Sequence, residues 1–527
     1  MIRTDLTLPL GYTKDDLKNA ITSKLPIKAD ELKDYRLVKR SLDLKDKSNI
    51  HYTATVAIRL PEERERGLLL MRKKVSVYPE LSFDVPRSNL SSRPIVIGAG
   101  PAGLFCALTL AISGARPILY ERGLSVDERC NSVSRFINES LLDTESNIQY
   151  GEGGAGTFSD GKLKFGSLDK YKVFVLDKLI EKGAPEDSSF STTAHVGTDK
   201  LREVVKGIRE EIIALGGEVH FSAKLTSIKT QNGKIVGGRV EKNGEIIDFD
   251  AENLVIAAGH SARDTFELLM NAGASLSPRG FGIGLRVEHP REYINNLVYG
   301  EGYPSELETA SYHLVTHLSN GRSAYSFCMC PGGSVVAAAS ERGGIVTNGM
   351  SEYSRNAENS NSALLVSVTP DDFLTDSPLA GIDLQRSIEK RAYSLTSSFT
   401  APCVRTEDFL AFRESVSFSS VTPSYPLGVS TDSPAKVLPE YVSESLCQAI
   451  RDFDDWMPGF LHPDATLTAP ETRSTSPIRV LRGDSFEALG IKGLYPIGEG
   501  AGYSGGIVSS ARDGVMAAEA ILLSHGV

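Results

Sequence analysis

Apolar and polar positions set out the chain's elements in order. Over the first 88 or so residues they predict a strand near IRTDLTLPL, a helix near KDDLKNAITSKL and a strand around NIHYTATVAIRL, a small α/β unit closed by the turn-forming linker DVPRSNLSSRP. From Ile95 the pattern becomes a buried strand (PIVIG), a glycine turn, an apolar helix (AGLFCALTLAIS) and a second strand (RPILYE), the βαβ order of a parallel sheet. TDKLREVVKGIREEIIALGG then reads as an amphipathic helix stopped by a Gly pair, followed by the strand EVHFSAKL. In TSIKTQNGKIVGGRVEKNGEIIDFDA the Asn-Gly pairs after Gln231 and Lys242 predict a three-stranded antiparallel meander, which runs on into the buried strand ENLVIAAGH. Residues 275 to 480 mix strand and loop character without a repeat. The end returns to strand, glycine turn and apolar helix in GLYPIGEGAGYSGGIVSSARDGVMAAEAILLS.

At 527 residues the chain is long enough for two to four units. Its 41% hydrophobic and 24% charged residues match an ordinary water-soluble globular composition. The net charge of −10 is uneven, because residues 1 to 92 carry 18 Lys and Arg against 13 Asp and Glu and the remainder is acidic. That sum argues against a general nucleic-acid coat while leaving a mildly basic front. Six cysteines (Cys106, Cys130, Cys328, Cys330, Cys403, Cys447) show neither a disulfide framework nor zinc-ligand spacing, so no metal is expected and a reducing cytoplasm is the natural location. The N-terminus lacks a signal-peptide layout. The apolar run Pro94 to Ile112 is broken by Gly98, Gly100, Pro101 and Gly103, which argues against a membrane span.

Two strings satisfy G-x-G-x-x-G: GAGPAG, Gly98 to Gly103, and GEGGAG, which opens GEGGAGTFSDGKL at Gly151. Only the first lies between a strand and a helix. There Gly98 permits the turn, Gly100 lets a pyrophosphate approach the backbone, Gly103 lets helix and strand pack closely, and the helix N-terminus faces the phosphates. Glu121 ends the next strand 18 residues after Gly103, where a carboxylate can accept hydrogen bonds from an unphosphorylated ribose. After Gly156 no apolar helix follows, so the second string is a glycine-dense loop able to lay backbone against a flat ring system.

GAGPAG with Glu121, LVIAAGH at Leu254 to His260 and GEGAGYSGGI at Gly498 to Ile507 resemble the three spaced FAD contacts of the glutathione-reductase-like two-dinucleotide flavoproteins. With GEGGAGTFSDGKL, FCMCPGG, TNGMS, NSALLV and ETRSTSPIR they resemble the uncharacterised bacterial FAD-dependent dehydrogenase family over nearly all of residues 90 to 527. The fold implied is α/β: a Rossmann-like FAD-binding domain (91–272 and 481–527), an inserted mixed α+β substrate or cap domain (273–480) and a small N-terminal α/β domain (1–90). Candidate cofactor contacts are Gly98, Ala99, Gly100, Pro101, Ala102, Gly103, Glu121, Arg122 and Arg129 around the adenosine diphosphate half, and Gly153, Gly154, Phe158, Ser159 and Gly161 along the flavin half. Leu225, Ala258, Gly259, His260, Gly498, Glu499, Gly505, Gly506 and Ile507 complete the set. Gly505, Gly506 and Ile507 open the last helix, whose N–H groups can face the flavin edge that gains negative charge on reduction. Glu499 stands where relatives often carry Asp.

Beyond the flavin, Arg286 and His289, Arg355, Arg473 and Arg479 are candidate partners for an anionic substrate or a flavin locus, against the plainer reading of ion pairs at a domain interface. Arg473 is the choice for catalysis. Tyr425 is a candidate proton donor, otherwise a packed tyrosine, and His195 and His260 read as loop or core histidines. Cys328 and Cys330 share one face of a strand and can exchange electrons with a flavin, although the C-M-C spacing favours a structural pair of buried thiols. The expected function is FAD-dependent oxidation or reduction of a small molecule; no second nicotinamide-binding fold is visible, so electrons come either from the substrate directly or from NADH or NADPH visiting the flavin as a transient reductant. The alternative is a flavoprotein acting on RNA through its basic front. That region has no RNA-binding aromatic signature, and oligomeric state is left open.

Overall fold

The computed structural model describes residues 1–71, 74–163 and 166–524. Strand Ile2–Leu8 alternates buried and exposed side chains throughout and lies between His51–Arg59 and Val75–Val77. Asp34–Asp43 lies on the far side of His51–Arg59 in this four-stranded antiparallel sheet. Helix Lys14–Lys24 starts at a capping box between Thr13 and Asp16 and buries Leu17 and Ile21. The strand Asp34–Asp43 has no sequence-level expectation. Its residues are exposed or half-buried on both faces, so no clean alternation marks it.

A parallel sheet carries the nucleotide fingerprint. Its order is Leu494–Pro496, Leu254–Ile256, Ile95–Ile97, Ile118–Tyr120 and Glu218–His220, with every neighbouring pair parallel. Successive residues of these three-residue strands feed two different cores. Val96, Leu119, Val255 and Tyr495 pack under the helices Pro101–Ile112, Thr198–Ala214 and Ile507–Ser524. Ile95, Ile97, Tyr120, Leu254 and Ile256 pack under the meander Ala223–Gln231, Lys234–Lys242 and Glu245–Asp250. Both meander turns place Asn and Gly at positive φ (Asn232 51° and Gly233 70°, Asn243 52° and Gly244 84°), as the two Asn-Gly signals require. Helix Pro101–Ile112 is apolar all round because a second helix, Ile507–Ser524, covers what the sheet leaves open. A Cβ on Gly103 would fall 1.8 Å from the Gly98 carbonyl oxygen, so close packing of helix on turn requires glycine there.

Between the fourth and last strands of this sheet in chain order the chain builds a seven-stranded mixed sheet. Its order is Val315–His317, Ser323–Cys330, Asn359–Val368, Phe281–Pro290, Thr466–Glu471, Ala401–Arg405 and Val429–Ser430. Helices Ala380–Thr396 and Glu440–Trp456 contribute Ile388, Ala392, Leu446, Ile450 and Phe453 to its core. The segments that enter and leave this unit, Leu276–Pro278 and Ile478–Val480, pair with each other. Strand Thr466–Glu471 is followed, after Thr472, by Arg473.

Candidate functional site

One cavity of about 630 Å³ runs from the fingerprint turn to the wall of the seven-stranded sheet. At its first end Gly98, Gly100, Pro101 and Ala102 meet Glu121 and Arg122. The buried Glu121 accepts the Ala99 N–H at 2.7 Å on one carboxylate oxygen, and the Gly123 and Gly151 N–H groups at 2.9 and 3.0 Å on the other. A carboxylate has about four acceptor sites, so capacity for one more hydrogen bond remains. Arg122 forms a fork on Asp264 with both distances 2.9 Å, donates to Glu145 at 2.8 Å and stacks 4.3 Å from the centre of the Tyr150 ring.

The second glycine string lies against the first. Gly153 donates its N–H to the Ala99 carbonyl at 2.8 Å, and Gly154 faces Gly100 so closely that its Cβ would come within 3.1 Å of the Gly100 Cα. Arg129, fully buried, pins this loop by donating to the carbonyls of Asn147, Ile148, Glu152 and Gly154 at 2.7–2.9 Å. Its burial pushes the guanidinium down to about 10. Gly154, Ser159 and Gly161 line the cavity. Gly153 turns the other way, toward Thr157 and Val205, and Phe158 packs under the guanidinium of Arg129 at 4.8 Å.

The middle of the cavity is walled by Leu225 from the meander, by Ala258, Gly259 and His260 after strand Leu254–Ile256, and by Gly498, Glu499, Gly505, Gly506 and Ile507. Two helix N-termini, at Pro101 and at Ile507, converge here. Burial, reinforced by Arg473 and Arg263, pushes His260 down to about 4, and burial carries the Glu499 carboxyl up to about 7 against the pull of Arg279.

The far end is polar. Asp160 accepts both arms of Arg355 at 3.0 and 2.6 Å and has Lys162 at 3.1 Å; these cations outweigh its burial and hold it well below the usual carboxylate range. Glu471 takes Nε and Nη2 of the fully buried Arg286 at 2.6 and 3.0 Å, and burial outweighs that cation, raising Glu471 to about 7. Arg286 also donates to Asn348 Oδ1, Asn361 Oδ1 and the Cys328 carbonyl at 2.9, 3.0 and 2.9 Å. Arg473 reaches the cavity from beside Glu471 while held by Glu389 and Ser340. Of its five N–H donors three are used, leaving two for an occupant.

Family comparison matches residues 92–274 to the pyridine nucleotide-disulphide oxidoreductase model, residues 280–474 to "FAD-dependent protein, C-terminal domain-like", and residues 1–59 to a domain of unknown function. An uncharacterised protein of Clostridium beijerinckii is 43% identical over 525 residues, 98% of each chain. The chain belongs to this family of FAD-dependent oxidoreductases. Among solved structures, a geranylgeranyl bacteriochlorophyll reductase-like protein of Thermoplasma acidophilum is 12% identical with a TM-score of 0.37, covering 82% of this chain and 79% of that one. The 3-ketosteroid-Δ4-(5α)-dehydrogenase of Rhodococcus jostii RHA1 is 13% identical with a TM-score of 0.35, covering 84% and 99%.

The flavoprotein's own backbone fits a dinucleotide. The cavity-lining Gly259 and Gly505 have nothing within 4 Å of where a Cβ would stand, and Gly100 has only the Gly154 Cα at 3.9 Å, so side chains there would fill the cavity rather than the fold. Ala99 and Gly103 shape the turn from behind, outside the lining. Several candidates lie elsewhere. His289 is completely buried, its Nε2–H donating to the Phe460 carbonyl at 2.8 Å. Tyr425 is buried with its hydroxyl on the Phe399 carbonyl at 3.1 Å, and Arg479 grips the Gly502 carbonyl. His195 stacks on Tyr353 beside the Asp160 cluster. Asp160, Lys162, Asn348 and Glu471 had no sequence-level expectation. The signal for Glu471 was its place two residues before Arg473; its strand pairs antiparallel with the one bearing Arg286. No helix among the described residues is long and apolar enough to cross a membrane.

Proposed function

We propose that the flavoprotein binds FAD along this cavity, adenosine diphosphate on Gly98–Gly103 and Glu121 and the flavin beside Gly154–Gly161 and the Ile507 helix, and oxidises or reduces a small anionic molecule at the Lys162, Arg355 and Arg473 end. The observation that carries this reading is the convergence of two helix N-termini and of Gly100, Gly259 and Gly505, whose Cβ positions open on the cavity, on a space whose other end is lined by cations. Bound FAD supplies two-electron chemistry. Lys162, with the two unused N–H donors of Arg473, orients the anion. Glu471 and Glu499, raised to about 7, are able to hold or release a proton at a carboxylate oxygen near neutral pH. Electrons come from the substrate itself or from NADH or NADPH visiting the same cavity, a reading compatible with the one fingerprint turn on a parallel sheet among the described residues.

The test is anaerobic spectroscopy of the purified protein against NADH, NADPH and a panel of carboxylate metabolites. Yellow protein with extractable FAD, bleached by one nicotinamide or one metabolite, supports the reading. Colourless protein that takes up no added FAD refutes it.

A further inference from the structure

Strand Ser323–Cys330 pairs with Asn359–Val368 regularly as far as Phe327 opposite Ala363, then slips and resumes with Cys330 opposite Asn361. Three steps on one strand face two on the other, so the strand carries a bulge. Within it Cys328 adopts φ 42°, a left-handed conformation uncommon for a residue with a Cβ. The bulge leaves Cys328 partly exposed on the cavity wall while Cys330 is completely buried.

The two thiols are neighbours. Cys330 donates to the Cys328 carbonyl at 3.2 Å. Arg286 places Nη1 2.9 Å from that same carbonyl and 4.0 Å from the Cys330 sulfur. The neighbouring Cys330, with Arg286 and Lys162, holds the Cys328 thiol below the usual thiol range against its burial. Burial pushes Cys106, Cys403 and Cys447 the opposite way. The bulge takes this segment off the regular extended path, on which i and i+2 Cα atoms stand about 6.6 Å apart, and the Cys330 sulfur lies back against the Cys328 carbonyl.

We propose that Cys328 and Cys330 form a redox-active dithiol opening on the cavity, which closes to a disulfide by passing an electron pair to the flavin bound there. Its electron partner rests on the placement of FAD above; the disulfide itself does not. Closing the S–S bond removes two electrons and one proton from a thiolate and a thiol, and oxidised flavin takes up all three. The reverse transfer from reduced flavin reopens the pair. Cys328 is the sulfur facing the cavity, and Cys330 the buried sulfur that closes on it.

The experiment has two readouts on the full-length protein. After oxidation with diamide, denaturation and alkylation without reductant, two of the six cysteines should be protected, both in the peptide spanning 328 and 330. In anaerobic dithionite titration followed by flavin absorbance, the diamide-oxidised wild type should consume four electrons per flavin, and Cys328→Ser and Cys330→Ser two each. Alkylation of all six cysteines after diamide would overturn the disulfide. A disulfide with two-electron uptake in wild type and variants alike would overturn transfer to flavin. Cys328→Ala and Cys330→Ala give the same comparison where a serine variant fails to fold, and a colourless protein would sink the FAD placement while the alkylation result still decides the disulfide.

Discussion

Arg473 delivers Nε and Nη2 to the two carboxylate oxygens of Glu389 at 3.0 and 2.9 Å, and Arg263 reaches the same oxygens at 2.8 and 3.0 Å. All three side chains are buried, and Thr472 adds a hydroxyl to Glu389 at 2.7 Å. The two cations outweigh burial and keep Glu389 well below the ordinary carboxylate range. Glu389→Ala leaves the buried Arg473 without a carboxylate and Arg263 with only Glu341 and Gln385, and should cost about 3–5 kcal/mol. Arg473→Ala leaves Glu389 paired with Arg263 and should cost less, about 1–3 kcal/mol, while weakening binding of an anionic ligand. Urea unfolding of both variants, beside ligand titration of Arg473→Ala, checks the order. Equal destabilisation with unchanged ligand affinity would reduce Arg473 to a structural anchor.

The two glycine strings should fail in different ways. At Gly100 φ is −74° and the Cβ position is open, so Gly100→Val should keep the fold and lose the flavin. At Gly153 φ is +81° and a Cβ would lie 1.9 Å from the Thr157 hydroxyl, so Gly153→Val should destabilise the loop before it affects the cavity. Thermal melts and visible absorbance of the two variants, side by side, separate the outcomes. A cooperative, native-like Gly153→Val melt with an altered flavin spectrum would return Gly153 to the lining.

The nucleotide end was legible because its function is written into backbone geometry. A turn that needs glycine, a helix start and a strand-ending carboxylate leave signals at fixed spacing, as Gly98, Gly100, Gly103 and Glu121 do. Glu389 and Arg263 left none. They lie 126 residues apart and meet only when helix Ala380–Thr396 packs beside the parallel sheet. Arg129 matched a cofactor contact in sequence position, but its donors are occupied by loop carbonyls, so it shapes the site from outside the cavity. The kink at Cys328 was also hidden, since a C-M-C string reads as regular alternation until the register slip appears.

Acid should destabilise the fold partly through His289. Its Nε2 meets the Phe460 carbonyl at 2.8 Å and its buried Nδ1 has no partner, so a second proton would have no acceptor. Burial pushes it from 6.5 down to about 4. The unfolded chain takes up this proton at about pH 6.5 and the folded chain only near 4, so stability is lost as pH falls through that window, by of order 2–3 kcal/mol. Glu471 and Glu499, raised to about 7, act in the opposite sense, contributing stability below the usual carboxylate range that is lost as pH rises toward 7. The informative quantity is therefore wild type minus His289→Gln. That difference should shrink between pH 7 and 4.5 in chemical denaturation, and a difference independent of pH would exclude the histidine.

The N-terminal unit should matter to the far end of the cavity. Arg40 in its edge strand donates its backbone N–H to the Phe190 carbonyl at 2.7 Å and accepts from Thr192 at 3.0 Å, and its guanidinium reaches Asp187 at 3.3 Å. Leu42, Leu44 and Ile50 pack against Ile294, Tyr299 and Met329. Thr192 and Met329 line the cavity, and Met329 lies between the two cysteines. The nucleotide end has no such dependence, because its turn, glycines and Glu121 belong to the parallel sheet. Leu44→Asp in the full chain should therefore leave FAD content within about 20% while speeding iodoacetamide labelling of Cys328 about tenfold, the factor that loosening worth ~1.4 kcal/mol would give. The front is charge-mixed, 18 Lys and Arg against 13 Asp and Glu, and two of its arginines, Arg40 and Arg64, are paired with Asp187 and Glu31, so bulk tRNA should show no salt-sensitive shift with the wild type. Unchanged labelling in Leu44→Asp would make the front unit an appendage, and tight tRNA binding at about 50 mM salt that is lost at about 200 mM would give it a partner instead.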